Sequence, residues 1–248
     1  MEYIRLGKTN ILASKISLGI ENLRDDDESA TLIQKAYDDG VNFFDASANF
    51  GESERLASRA LYHFREHIFL STKSNAKTAE QLQLDIEKSL QTLGFDCIDI
   101  YQIEYTNENF LLREELEKVL QDAKSRNAIK HIGAVTEDFL IAKKILETDF
   151  YETLQFPFNM IASDEIIAIA KMCETTDVGL LAMRPLCGGV LSNIPLAFGF
   201  YLCYENAIPL WGCRTREELS HILYFNDFPP VLDARLINDI KHAREFFN

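Results

Sequence analysis

The chain has 248 residues, 47% of them hydrophobic and 26% charged, and its 39 acidic side chains against 25 lysines and arginines give a net charge of −14. That surplus repels nucleic acid and anionic membrane surfaces and points to small-molecule or protein partners. No apolar run approaches the roughly 20 residues that span a bilayer, and the opening Met1-Glu-Tyr-Ile-Arg lacks the charged and apolar regions of a signal peptide, so a cytoplasmic protein is expected.

Short β-rich segments alternate with helical patterns along the whole chain. Residues 2–12 followed by 13–16 read as a hairpin turning at 8–10, placed to plug one end of a barrel. Strands are expected at 15–19, 42–47, 68–73, 98–104, 131–136, 153–159, 179–185 and 207–213. Between them run amphipathic patterns, among them 29–39, 52–64, 79–93, 114–126 and 164–174. In the third of these, Leu82, Leu84, Ile86, Leu90 and Leu93 roughly follow the helical period. A last helix, over about 233–247, follows the Pro229-Pro230 break. Eight βα units in strict alternation call for a parallel sheet closed as a (β/α)8 TIM barrel, a fold whose usual size is about 250 residues. An open doubly wound sheet is disfavoured, because no GxGxxG turn follows the first strand. One domain over residues 1–248 is expected.

The five cysteines (Cys97, Cys173, Cys187, Cys203 and Cys213) include no CxxC pair, which argues against a metal site and for reduced thiols. Cys187 and Cys213 lie on loops at the same barrel end, where two ordinary thiols are the simpler reading. The ionisable residues at strand ends are more telling. Asp45, Lys73 and Glu104 close three successive strands. Side chains alternate along a strand, so Lys73 shares a face with Ser71, and Glu104 with Gln102. Pointing inward, they converge at the carboxyl-terminal mouth, where barrel active sites lie. Asp45 and Lys73 form the natural ion pair, with Glu104 beside them. Tyr105, one residue on, points away from the interior.

Several segments together resemble the aldo-keto reductases: Tyr3-Ile-Arg-Leu-Gly-Lys-Thr, Gly40-Val-Asn-Phe-Phe-Asp45, Phe50-Gly-Glu-Ser-Glu, Leu93-Gly-Phe-Asp-Cys-Ile-Asp-Ile-Tyr-Gln-Ile, Ile132-Gly-Ala-Val-Thr, Leu154-Gln155 and Ala182-Met-Arg-Pro-Leu-Cys-Gly-Gly. The flavour is that of a bacterial branch whose members often carry a ferredoxin-like module, and no such module follows within these residues. The resemblance implies a nicotinamide-dependent reductase in which an Asp/Tyr/Lys/His tetrad works on carbonyls. Carried over position by position, the aspartate is Asp45 and the lysine Lys73, while Phe50 stands at the tyrosine and Glu104 at the histidine. A general acid contributes about 10²–10⁴ in rate, so Phe50 argues against ordinary carbonyl reduction. Glutamate at the histidine position is known in family members that reduce a carbon–carbon double bond, and Glu104 is the internal candidate for a replacement acid.

For the cofactor, the loops after the seventh and eighth strands are the expected phosphate site. The first supplies Arg184, Gly188 and Gly189, and the second Gly212 and Arg214. Thr215 and Glu218 form a T-x-x-E capping box that starts a helix with its positive end toward the loop. The resemblance implies NADP(H), with Arg214 on the adenosine phosphate and Gln155 on the carboxamide. It places Thr136-Glu137 where a Ser-Asn pair is usual, and Met183 where an aromatic ring often stacks. Short connecting loops leave the mouth open to a small molecule or a peptide, and the oligomeric state is not indicated. Three uses are consistent with these residues. They are NADPH-dependent reduction of a C=C or C=N bond, a redox-neutral isomerase, lyase or cyclase using Lys73 and Glu104, and a silent NADPH- or partner-binding protein.

Overall fold

The computed structural model describes residues 1–50 and 52–247; the Phe50 side chain, Gly51 and Asn248 lie outside the described part. Two short strands, β1 (Tyr3–Arg5) and β2 (Leu12–Ser14), pair antiparallel with Tyr3 opposite Ser14 and Arg5 opposite Leu12. Eight parallel strands then close a barrel: β3 (Ser17–Gly19), β4 (Phe43–Asp45), β5 (Phe69–Ser74), β6 (Ile98–Glu104), β7 (Ile129–Val135), β8 (Thr153–Pro157), β9 (Gly179–Met183) and β10 (Ala207–Trp211), with β10 returning to β3. Around it lie α1 (Asp27–Asp38), α2 (Ser53–Leu61), α3 (Ala79–Leu93), α4 (Arg113–Ser125), α5 (Phe139–Leu146), α6 (Asp164–Thr175), α7 (Ile194–Tyr201), α8 (Arg216–Asp227) and α9 (Ala234–Phe247). The expected (β/α)8 barrel is therefore the fold, and the hairpin precedes it. No helix among the described residues is long and apolar enough to cross a membrane.

The hairpin arms are shorter than the sequence suggests, because the chain turns inward at Leu6. Its amide donates to the Ile11 carbonyl at 2.9 Å. Its side chain is wholly buried in a cluster with Ile11, Ala13, Phe43, Ile100, Leu181 and Ile208, the apolar floor of the barrel. Gly179 admits it: a Cβ there would lie 2.5 Å from Leu6 Cδ1. The floor is filled by branched side chains, so the barrel is a packed core that opens only at its other end.

Parallel register sets the upper layers. Asp45 lies beside Ser71, Lys73 beside Gln102, Glu104 beside Val135, and Val135 beside Gln155. The odd-numbered side chains of β4 and β5 and the even-numbered ones of β6 thus face one interior, apolar at the floor and polar above. The outer core lies between strands and helices. On α3, Leu82, Ile86 and Leu93 are fully buried, whereas Leu84 is 61% exposed. Two residues from Leu82, it sits about 200° round the helix and faces water. Capping follows the sequence: Asp26, Thr78, Asp138, Ser163, Asn193 and Thr215 each accept a first-turn amide with their side chains.

Near the floor, Glu152 accepts from His131 Nδ1 at 2.7 Å, from the Ile132 amide at 3.1 Å and from Lys124 Nζ. Burial alone would raise its pKa, but these donors outweigh it and pull the carboxyl down to about 2. A depressed carboxyl stabilises the fold above its unfolded pKa, and the contribution is lost as pH falls through the folded value. Urea unfolding should show Glu152→Gln less stable by about 2–3 kcal/mol at neutral pH. The deficit should fade between about pH 5 and 2. A deficit independent of pH would assign the loss to packing instead.

Candidate active site

At the upper end of the barrel Asp45 is buried, and four side chains donate to it. Ser71 Oγ reaches Oδ1 at 2.5 Å and Lys73 Nζ reaches Oδ2 at 2.7 Å. Gln102 Nε2 and Gln155 Nε2 add longer contacts at 3.3 and 3.2 Å, and Gln102 also donates to Gln155 Oε1 at 2.7 Å. Gly133 on β7 leaves room for this amide pair, since a Cβ there would meet Gln102 Cγ at 2.8 Å. Gln155 is thus tied to the aspartate as well as to the cavity wall.

Lys73 is 4% exposed and has three protons to place. They go to Asp45, to the Ala46 carbonyl at 3.1 Å and to Glu21 Oε2 at 2.9 Å. Burial works against the ammonium, but attraction to Asp45 and Glu21 outweighs it and raises the pKa. For Asp45 burial is the larger effect, so its carboxyl is raised despite Lys73. Glu104 does not join this pair. Its Oε2 accepts from Asn49 Nδ2 at 3.1 Å, while Asn49 Oδ1 accepts the Asn75 amide at 2.9 Å. Tyr105, as expected, points outward, with its hydroxyl 2.8 Å from that of Tyr151.

Glu21, Asp45, Lys73 and Glu104 line the deep end of one cavity of about 930 Å³. That is near the top of the range of about 300–1,000 Å³ in which small-molecule and cofactor sites fall. The cavity passes Thr136, Gln155 and Met183 and continues to Gly188, Gly189, Gly212, Arg214 and Glu218. Every residue put forward from the sequence for catalysis or cofactor binding, Phe50 and Thr215 aside, therefore borders it. The Phe50 side chain lies outside the described residues, and Thr215 caps the helix behind.

The far end offers groups suited to an anion. Gly188 and Gly189 have φ of +67° and +93°, and a Cβ on either would meet nothing within 4 Å, so their backbone is open to approach. Thr215 Oγ1 accepts the Glu218 amide at 3.2 Å, and Glu218 Oε2 accepts the Arg214 amide at 2.7 Å. The capping box thus closes one residue earlier than its usual form. The Arg214 guanidinium is exposed and has no partner among the described residues. Arg184 is already engaged: it forms a two-pronged ion pair with Glu137, Nη1 reaching Oε2 at 3.0 Å, across the loops after β7 and β9. Its φ of +58° is rare for a residue with a side chain, and Asn159 Nδ2 holds its carbonyl at 3.1 Å. Thr136 spends its hydroxyl on the Tyr105 carbonyl and the Asp138 amide. The Cys213 thiol is pushed up to about 12, first by burial and then by Glu218, which keeps it protonated.

Two residues that sequence reasoning passed over stand at this site, Glu21 and Asn49's amide. Glu21 follows β3 in a turn closed by the Leu23 amide on the Ile20 carbonyl at 3.1 Å, so strand alternation gives no signal for it. The only signal was an acid just past a barrel strand, at the end where sites form.

The Aldo/keto reductase family model matches residues 15–196. Among curated proteins, the chain is 26% identical to aldo-keto reductase AMT2 of Alternaria alternata, covering 78% of this chain and 67% of that protein. It is 29% identical to 6-dehydroglucose reductase of Novosphingobium aromaticivorans, covering 76% and 70%. The chain spans about two thirds of the length of the curated relatives it matches. Among solved structures, the holo form of aldo-keto reductase AKR11C1 from Bacillus halodurans superimposes with a TM-score of 0.88 at 16% identity, covering 98% of this chain and 96% of that one. With a family model matching most of its length, the chain belongs to the aldo/keto reductase family.

Proposed function

We propose that this protein is an NADPH-dependent oxidoreductase of unusual type, reducing a polarised C=C or C=N bond in a small molecule rather than an ordinary aldehyde or ketone. One observation carries the reading. A single cavity joins the buried Asp45–Lys73 pair at one end to the open glycine backbone and Arg214, which has no partner among the described residues, at the other. The donor set fits a nicotinamide dinucleotide: Arg214 and the amides at Gly188 and the start of α8 suit its phosphates, and Met183, Thr136 and Gln155 line the way to the acid end. When bound, such a cofactor supplies a hydride. The chain's own part is to hold the acceptor carbon near the Lys73 end, exclude water through a floor sealed by Leu6, and manage a proton. Phe50 has no proton to give, which is why the reading turns away from carbonyls. The 248 residues act in this reading as one unit, in the cytoplasm.

The 2′-phosphate distinguishes NADPH from NADH, and Arg214 is its proposed partner. A hydrogen bond to a charged group contributes about 1.5–3 kcal/mol. In fluorescence titrations Arg214→Ala should therefore weaken NADPH binding about 10–100-fold and change NADH binding little. Equal losses for both cofactors would remove Arg214 from the 2′-phosphate.

A further inference from the structure

Lys73 has no proton left for a substrate, since its three go to Asp45, the Ala46 carbonyl and Glu21. Of these acceptors, Asp45 is buried and the carbonyl cannot carry a proton. Glu21 is different: its side chain is 32% exposed and borders the cavity while Oε2 stays 2.9 Å from the ammonium. A carboxyl in that position meets both demands on an acid–base group. It reaches the bound molecule, and a cation already in place holds its anion once the proton has left. Glu104, the acid that the sequence suggested, reaches the same cavity but has the neutral Asn49 amide as its partner.

We propose that Glu21 is the catalytic acid–base residue of this site, with Lys73 and Asp45 positioning its carboxylate. The inference rests on the reductase reading above. In the reductive direction the Glu21 O–H bond breaks and an N–H or C–H bond forms on the substrate atom next to the carbon being reduced. The electron pair that takes the proton is the π pair of the C=N or C=C bond, displaced as that carbon receives hydride from a reduced nicotinamide. Glu21 is left as a carboxylate beside the Lys73 ammonium, whose Nζ lies 2.9 Å from Oε2, and cavity water returns the proton. In the oxidative direction the same carboxylate is the base. The turn at 20–23 therefore supplies the chemistry for which position 50 has no hydroxyl.

The test uses the full chain with two probes, a cyclic imine (3,4-dihydroisoquinoline) and a cyclic enone (2-cyclohexenone), and NADPH as reductant. Glu21→Gln keeps the side chain's size at a partly exposed position and should fold. The proposal expects turnover of whichever probe the native chain reduces to fall about 10²–10³-fold, with NADPH affinity by fluorescence titration within twofold of native. Turnover within threefold of native would overturn it. A second readout needs no turnover. In protein labelled with ¹³C at the glutamate carboxyl carbons, the resonance missing from Glu21→Gln should move in Lys73→Arg, which keeps the cation but alters its geometry. A Glu21 resonance indifferent to Lys73→Arg would also overturn the proposal. If the native chain binds no NADPH and reduces neither probe, the reductase reading falls, and the carboxyl resonance still decides whether Glu21 is held by Lys73.

Discussion

Replacing Lys73 with methionine is expected to lower stability by about 3–4 kcal/mol at pH 7, alongside loss of any turnover. Methionine fills similar space, so the loss comes from charge. Asp45 is buried among Ser71, Gln102 and Gln155, and Lys73 is the cation that lets it stay ionised there. Without that cation the carboxylate takes up a proton. Protonating an ordinary carboxyl at pH 7 costs about 1.4 kcal/mol for each of three units, or about 4 kcal/mol, which caps the penalty. The sign follows from linkage. A carboxyl raised in the folded state costs stability above its unfolded pKa, and the cost shrinks as pH falls toward that value. Urea unfolding of Lys73→Met should therefore show a deficit near 4 kcal/mol at pH 7 that drops to about 1.5 kcal/mol at pH 5. Asp45→Asn in the same chain should restore much of the loss at pH 7, because the pair is removed together. An equal deficit at both pH values would mean that packing, not an orphaned carboxylate, sets the cost.

Leu6→Ala should cost about 2–5 kcal/mol, the span for truncating a fully buried leucine. Leu6 reaches the barrel floor from a hairpin outside the sheet, and its neighbours Phe43, Ile100, Leu181 and Ile208 sit on hydrogen-bonded strands. Those strands cannot close on the void, so most of the cavity persists and the upper part of the range applies. Leu12, on the same hairpin and 57% exposed, is the control: Leu12→Ala should fall within about 0.5 kcal/mol of native. Chemical denaturation of the two variants separates a plug from a decorative hairpin. Leu6→Ala within about 1 kcal/mol of Leu12→Ala would show that the floor relaxes.

Much of this architecture was legible because β-rich runs and helical periods alternate without interruption. The eight expected strands are the eight observed; Ile98–Glu104 matches at both ends, and in the other seven an end shifts by one or two residues, mostly where extended loop backbone continues a strand's pattern without its ladder. Leu84 shows a limit of the same method, since an apolar residue off the helical face reads as core in a rough count and stands in water in the fold. At the site, strand alternation places Asp45 and Lys73 together and turns Tyr105 away, because both follow from backbone geometry alone. Side chains from turns carry no such rule. Glu21 and Asn49 reach the centre from loops after β3 and β4, and they decide what the ordered residues do: Glu21 takes the last proton of Lys73, and Asn49 takes the carboxylate of Glu104. Arg184 is a further case. Its place in a glycine-rich loop suggests a phosphate ligand, yet its guanidinium is spent on Glu137, so among the described residues lining the cavity Arg214 is the cation left to meet a phosphate.

In the proposed reading one cavity brings a nicotinamide dinucleotide to an acid–base centre built on Lys73. A crystal structure of the chain grown with NADP⁺ tests it most directly. The account predicts the adenosine phosphate at Arg214, the pyrophosphate against the Gly188–Gly189 backbone, and the nicotinamide C4 at the deep end between Glu21 and Glu104. A cavity empty of dinucleotide at millimolar NADP⁺, or a nicotinamide turned out to solvent, would contradict it.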